Sequence, residues 1–213
     1  MPRLVAMADT HGQHARLDVP DGDILVHAGD LTGRGTRSEL ARVAEWLRSL
    51  PHRHKVIVAG NHDFAFQRTP EEARALFHGL TYLEDEAVTL EGLRLYGSPW
   101  QPYFHNWAFN LRRGPDIDAK WQLIPEGLDV LITHGPPAGY GDLVLRHPVY
   151  GEERVGCEDL LRHLGRAKPR FHLCGHIHED RGQWQVGETR VCNVTVADCE
   201  LPCTVLDVEP RKD

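Results

Sequence analysis

Five short polar blocks along this 213-residue chain carry the side chains best suited to chemistry: Asp9-Thr10-His11, Gly29-Asp30, Gly60-Asn61-His62-Asp63, Thr133-His134-Gly135 and Gly175-His176-Ile177-His178. Seven of their residues, two Asp, one Asn and four His, offer the oxygen and imidazole-nitrogen donors that a pair of divalent cations takes, and His62 and Asp63 stand beside them. Asp9 and His11, two apart at a strand exit, can turn toward one ion, and the Asp30 carboxylate can bridge two ions with its two oxygens. Asn61 offers a neutral carbonyl oxygen. His134, His176 and His178 offer ring nitrogens, and the alternation of His176 and His178 lets their rings reach different ions.

Donors so dispersed meet only if the fold gathers them. Each block follows a short apolar run, at 4–8, 24–28, 56–59, 130–132 and 171–174, the pattern of buried strands. In parallel or mixed sheets the carboxyl ends of such strands converge on one edge, where α/β folds hold ligands. Helix signals alternate with the strands. Thr36 and Glu39 form a capping-box pattern, followed by Leu40, Val43, Leu47 and Leu50 at helical spacing. Thr69, Pro70 and Glu72 predict a second helix to about residue 77, with Thr69 as its N-cap, and a third is predicted over 157–164, stopping at Gly165. Hairpins are predicted around Glu91-Gly92 and Gly187-Glu188, and a last strand over 203–208. The expected architecture is α/β: two mixed β-sheets packed as a sandwich, flanked by α-helices, in one domain over 1–213.

Hydrophobic residues at 41% and charged residues at 26% are ordinary for a globular chain. The net charge of −7 argues against a track for polymeric nucleic acid, which leans on Lys and Arg. It leaves room for a small phosphorylated substrate, since bound dications would reverse the local sign. Cys157, Cys174, Cys192, Cys199 and Cys203 are odd in number and lack paired C-x-x-C spacing, so reduced, mostly buried thiols are expected. No apolar run has membrane-spanning length, and Met1-Pro2-Arg3 leads into a strand without a signal-peptide pattern. The expectation is a cytoplasmic protein with no membrane partner.

In order and spacing the five blocks resemble the signature of the calcineurin-like metallophosphoesterases, over residues 3 to about 195. A narrower likeness, through Gly97-Ser98-Pro99-Trp100-Gln101-Pro102, Asn106-Trp107-Ala108-Phe109-Asn110 and Thr133-His134-Gly135-Pro136-Pro137, is to the MPPED-type branch, which includes class III cyclic-nucleotide-type phosphodiesterases. The resemblance implies a dinuclear site at the strand ends, with Asp9, His11, Asp30 and His178 on one metal and Asp30, Asn61, His134 and His176 on the other. It implies His62 as the substrate-facing, non-ligand histidine, with Asp63 orienting its ring. It further implies hydrolysis of phosphoric diesters, cyclic nucleotides among them, by a metal-bridging hydroxide. Mn²⁺ is the first choice of ion by family habit, with Fe, Zn²⁺ and Ni²⁺ also compatible with such ligands. A phosphomonoesterase, a small nuclease and a non-catalytic scaffold of the same fold are the rivals.

Between Pro99 and Arg113 the chain holds Trp100, Tyr103, Phe104, Trp107 and Phe109, an aromatic density far above its 8% average. Such a segment either walls a pocket or packs on a sheet. On the pocket alternative Trp100, His105, Asn106, Trp107, Arg112 and Arg113 are the substrate-binding candidates. The remaining histidines, His27, His147 and His172 among them, are expected to be structural or solvated.

Overall fold

A computed structural model describes residues 1–145 and 151–211; His147 lies outside the described residues. The first sheet is built from β1 (Arg3–Met7), β2 (Ile24–Ala28), β3 (His54–Val58) and β4 (Thr81–Tyr82). The hairpin β5 (Glu86–Leu90) and β6 (Leu93–Ser98) leads to the short pair β7 (Gln101–Pro102) and β8 (Asn110–Leu111). Further on come β9 (Val130–Thr133), β10 (Leu143–Leu145), β11 (Glu152–Arg154), β12 (Phe171–Cys174), β13 (Gly182–Val186), β14 (Thr189–Asn193) and β15 (Thr204–Asp207). The helices are α1 (Arg37–Ser49), α2 (Phe64–Arg68), α3 (Pro70–Leu76), α4 (Pro115–Trp121) and α5 (Glu158–Ala167).

Eleven strands form two mixed sheets, in the orders β15-β1-β2-β3-β4 and β13-β14-β12-β9-β6-β5, and β7-β8 and β10-β11 stand apart as two-stranded pairs. In the first, β1 to β4 run parallel and β15 is antiparallel; in the second, β14, β12, β9 and β6 are parallel between two antiparallel edges. Alternation along each strand explains the layers. Leu4, Ala6, Val26, Val56 and Val58 of one sheet face Leu95, Val130, Ile132, Leu173 and Cys192 of the other. The opposite faces carry Val5, Leu25 and Ile57 to α1, and Leu131 and Val191 to α4 and α5. This is the expected sandwich flanked by helices. The strands at whose ends the five blocks sit, β1, β2, β3, β9 and β12, are all parallel within their sheets, so their exits lie along one edge.

Thr36 and Glu39 make both bonds of the capping box. Thr69 does not cap α3: its hydroxyl donates to the Ala65 carbonyl, because its backbone also ends α2. Gly165 lies inside α5 rather than ending it; the helix runs to Ala167 and stops at Lys168, left-handed with φ 47°, ahead of Pro169. The five thiols are free, as expected.

Candidate metal centre

Each strand exit turns sharply. Asp9 (φ 61°), His11 (φ 43°), Asp30 (φ 55°) and His176 (φ 71°) all adopt the left-handed region that non-glycine residues avoid. Such strain costs of order 1–2 kcal/mol per residue and clusters at functional sites. Neighbouring loops pin it: Asp9 N–H donates to the Gly29 carbonyl and His11 N–H to that of Asp30. The His176 N–H donates to the Asp9 carboxylate at 3.0 and 3.1 Å. At Gly60 a Cβ would stand 2.3 Å from both the amide nitrogen and Oδ1 of Asp30, so only glycine lets the third loop close on the second.

The turns bring the seven donors together. His134 Nε2 is 2.9 Å from Asn61 Oδ1 and 3.3 Å from Asp30 Oδ2. His11 Nε2 lies 3.8 Å from the same Asp30 oxygen and 3.3 Å from His178 Nε2, which is 3.9 Å from Asp9 Oδ1. Asp30 Oδ2 therefore stands between two groups of donors: Asp9, His11 and His178 on one side, and His134, His176 and Asn61 on the other. Donors about 2.1 Å from a shared ion stand roughly 3–4 Å from one another, so these spacings suit two cations.

Electrostatics agree with that fit. Burial raises the Asp9 carboxyl, and the Asp30 charge raises it further against His134 and His178. For Asp30 burial is outweighed by the His134 charge and hydrogen bond, which hold it below the usual carboxylate range. His134 is correspondingly raised to about 9: its burial is outweighed by Asp30. With Nδ1 bonded to the Ala28 carbonyl at 2.9 Å, the second proton of His134 sits on Nε2, pointing at the two oxygens where a cation would replace it.

Behind each half of the site stands a buried His–Thr pair. His27 Nε2 meets Thr10 Oγ1 at 3.0 Å, and Thr10 donates to the Leu31 carbonyl. His172 Nε2 meets Thr133 Oγ1 at 2.7 Å, and Thr133 donates to the Gly135 carbonyl. Each threonine adjoins a donor in sequence, so the pairs brace the loops that carry Asp9, His11 and His134.

His62 occupies the open side. Its Nδ1 donates to the Gly33 carbonyl at 2.7 Å, leaving Nε2 free, and its ring is 4.6 Å from that of His11. Asp63 does not orient it, contrary to expectation. The buried Asp63 carboxylate accepts instead from Gly60 N–H, Leu31 N–H, Thr32 N–H and the Thr32 hydroxyl, tying the second and third loops together. Burial, with Asp30 nearby, pushes it up to about 6.

A model of the calcineurin-like phosphoesterase family matches residues 2–180, which span all five blocks. The chain belongs to the calcineurin-like phosphoesterase family. It is 41% identical to human metallophosphoesterase domain-containing protein 1 over 227 residues, 95% of this chain and 67% of that protein. A UPF0046 protein of Caenorhabditis elegans is 36% identical over 90% of this chain and 68% of its own length. Both suit the MPPED-type branch. The structure of TT1561 of Thermus thermophilus shares the fold, with a TM-score of 0.61 over 98% of this chain and 99% of that one at 14% identity.

The aromatic segment divides. Trp107 packs on His62, ring centroids 4.2 Å apart, and Phe104 lies 5.0 Å from His176, so these two wall the site. Trp100 does not: its Nε1 donates to Asp85 and Lys120 caps its ring, the packing alternative. Asn106 is exposed and accepts from the Tyr103 hydroxyl, and Arg112 is exposed outside the site's groove. Arg113 borders that groove, but its guanidinium donates to the Val155 and Gly156 carbonyls at 2.7 Å each. His105 is exposed at the groove's edge. Sequence reasoning had no signal for Thr32 and Gly33, which serve Asp63 and His62 from 31 and 29 residues away. No helix among the described residues is long and apolar enough to cross a membrane.

Proposed function

We propose that the chain is a metal-dependent phosphodiesterase acting on small diesters. The observation that carries this is the convergence of Asp9, His11, Asp30, Asn61, His134, His176 and His178 around a shared Asp30 oxygen, with a free His62 Nε2 beside it. Asp9, His11 and His178 would hold one ion, Asn61, His134 and His176 the other, and Asp30 both; Mn²⁺ is the first ion to test. When bound, two such dications would supply acidified water and polarisation of the phosphoryl oxygens.

The protein's own groups do the rest. The Gly33 carbonyl holds the Nδ1–H of His62, so Nε2 is the atom that would take up a second proton and, from the imidazolium, pass it to the departing oxygen. Trp107 limits the swing of that ring and excludes water from one face. Asp63 holds the loops of Asp30 and Asn61 at fixed separation, a positioning role.

Diesters are favoured because Arg113 is engaged by carbonyls and Arg112 is exposed and does not line the groove, leaving neither guanidinium for the extra charge of a monoester. Cyclic nucleotides are the first natural diesters to try. The five unpaired thiols favour the cytoplasm as the location. The test is hydrolysis of bis(4-nitrophenyl) phosphate and 4-nitrophenyl phosphate by chelator-stripped protein, with and without Mn²⁺, beside Asn61→Ala. Metal-dependent diester turnover that Asn61→Ala loses supports the reading. Absence of turnover with Mn²⁺, Fe, Zn²⁺ and Ni²⁺ in folded protein sinks it and favours a scaffold.

A further inference from the structure

A groove of about 490 Å³ adjoins the metal centre, lined by His176 but by neither His62 nor Trp107. Its surface is mixed: the rings of Tyr103 and Phe104, the aliphatic side chains of Val144, Val155 and Ile177, and the carboxylates of Glu153 and Glu179. Among the described residues, the one guanidinium on its wall, that of Arg113, is turned to backbone carbonyls.

Hydrolysis of a diester breaks one P–O bond while water's oxygen forms another; the departing alcohol takes a proton and the second ester group stays on phosphorus. In an in-line displacement the nucleophile and leaving group share an axis, so the retained group must project sideways from it. His62 Nε2 marks the leaving side. The His176 side, which opens into the groove, is where the retained group has room.

We propose that this groove is the subsite for the retained ester group, and that it selects an apolar or aromatic, uncharged group over one bearing further phosphate. The proposal rests on the diesterase reading above. Phe104 and Tyr103 offer ring faces, the aliphatic residues offer area, and the Glu179 carboxylate repels a second anion. A nucleotide chain would place its next phosphate against that carboxylate. A monoester has no group to put there.

The experiment uses one leaving group throughout. Metal-loaded protein is given bis(4-nitrophenyl) phosphate, methyl 4-nitrophenyl phosphate, and a 4-nitrophenyl ester of a nucleoside bisphosphate that keeps a second phosphate on the retained side. The aryl-retaining ester is expected to exceed the methyl ester in kcat/KM by roughly tenfold or more, after correction for their uncatalysed rates. Val144→Trp, which fills the groove, should collapse that ratio toward one, and Glu179→Lys should raise turnover of the doubly anionic ester. Independently of turnover, diphenyl phosphate but not dimethyl phosphate should shift the NMR methyl signals of Val144, Val155 and Ile177. A corrected ratio near one in the unmodified protein, or methyl signals indifferent to diphenyl phosphate, overturns the groove assignment. Failure of all three esters to turn over overturns the diesterase reading instead, and the methyl signals then decide the groove separately.

Discussion

Gly60→Ala is a one-carbon change whose consequence follows from distances. The new Cβ would stand 2.3 Å from Asp30 N, 2.3 Å from Asp30 Oδ1 and 2.8 Å from His134 Cε1. Ordinary contact needs about 3.4 Å, so Asp30 must retreat by about 1 Å from the loop that carries Asn61. Overpacking of this kind costs about 1–3 kcal/mol, tolerable against a typical 5–15 kcal/mol of total stability. Function should suffer more, because a 1 Å error in a catalytic constellation costs about 10²-fold. The control is Gly165→Ala in α5, where nothing lies within 4 Å and the backbone is helical. There the same change should stabilise by about 0.5–1 kcal/mol and leave activity alone. Urea unfolding, bound metal per chain and diester kcat/KM on both variants form the assay. A Gly60→Ala protein with full metal content and kcat/KM within twofold of the parent would refute the idea that close loop contact sets the Asp30 oxygen.

His62→Ala should keep both metals, because His62 lies outside the proposed ligand set, while kcat falls by about 10²–10⁴; parallel loss of metal would make it a ligand. Acid should destabilise the fold through two histidines that burial lowers to about 3, His27 and His172. The unfolded chain takes up their protons below an ordinary pKa of about 6.5, whereas the folded chain does so only near 3. Each therefore withdraws stability as pH falls between those values, about 2 kcal/mol from pH 7 to 5. In chelator-treated protein, His172→Phe should lose about 2 kcal/mol less than the parent over that interval by urea unfolding, and an unchanged slope would mean that His172 is protonated in the fold.

Much of this was legible in the residues. The apolar runs before each block became strands because period-two burial on both faces demands them, and the two hairpins followed from the Gly92 and Gly187 turns. What stayed hidden was contact between distant loops. Asp63 pairs with Leu31 and Thr32, and no local pattern distinguishes that from service to its neighbour His62. Trp100 was indistinguishable from Trp107 until Asp85 and Lys120, from other elements, claimed it. The seven-residue α4 was too short for periodicity to register, although Ile117 and Trp121 bury one face of it. Gly165 misled because an exposed helical glycine resembles a terminator, whereas Lys168 before Pro169 ends α5.

The dinuclear centre is tested most directly by counting metal. Protein stripped with chelator, reloaded with Mn²⁺ and freed of excess should bind two ions per chain, and Asp30→Ala, which removes the oxygen between the two donor groups, should bind none tightly. One ion or none in the unmodified protein, or two retained by Asp30→Ala, would contradict a centre organised around Asp30.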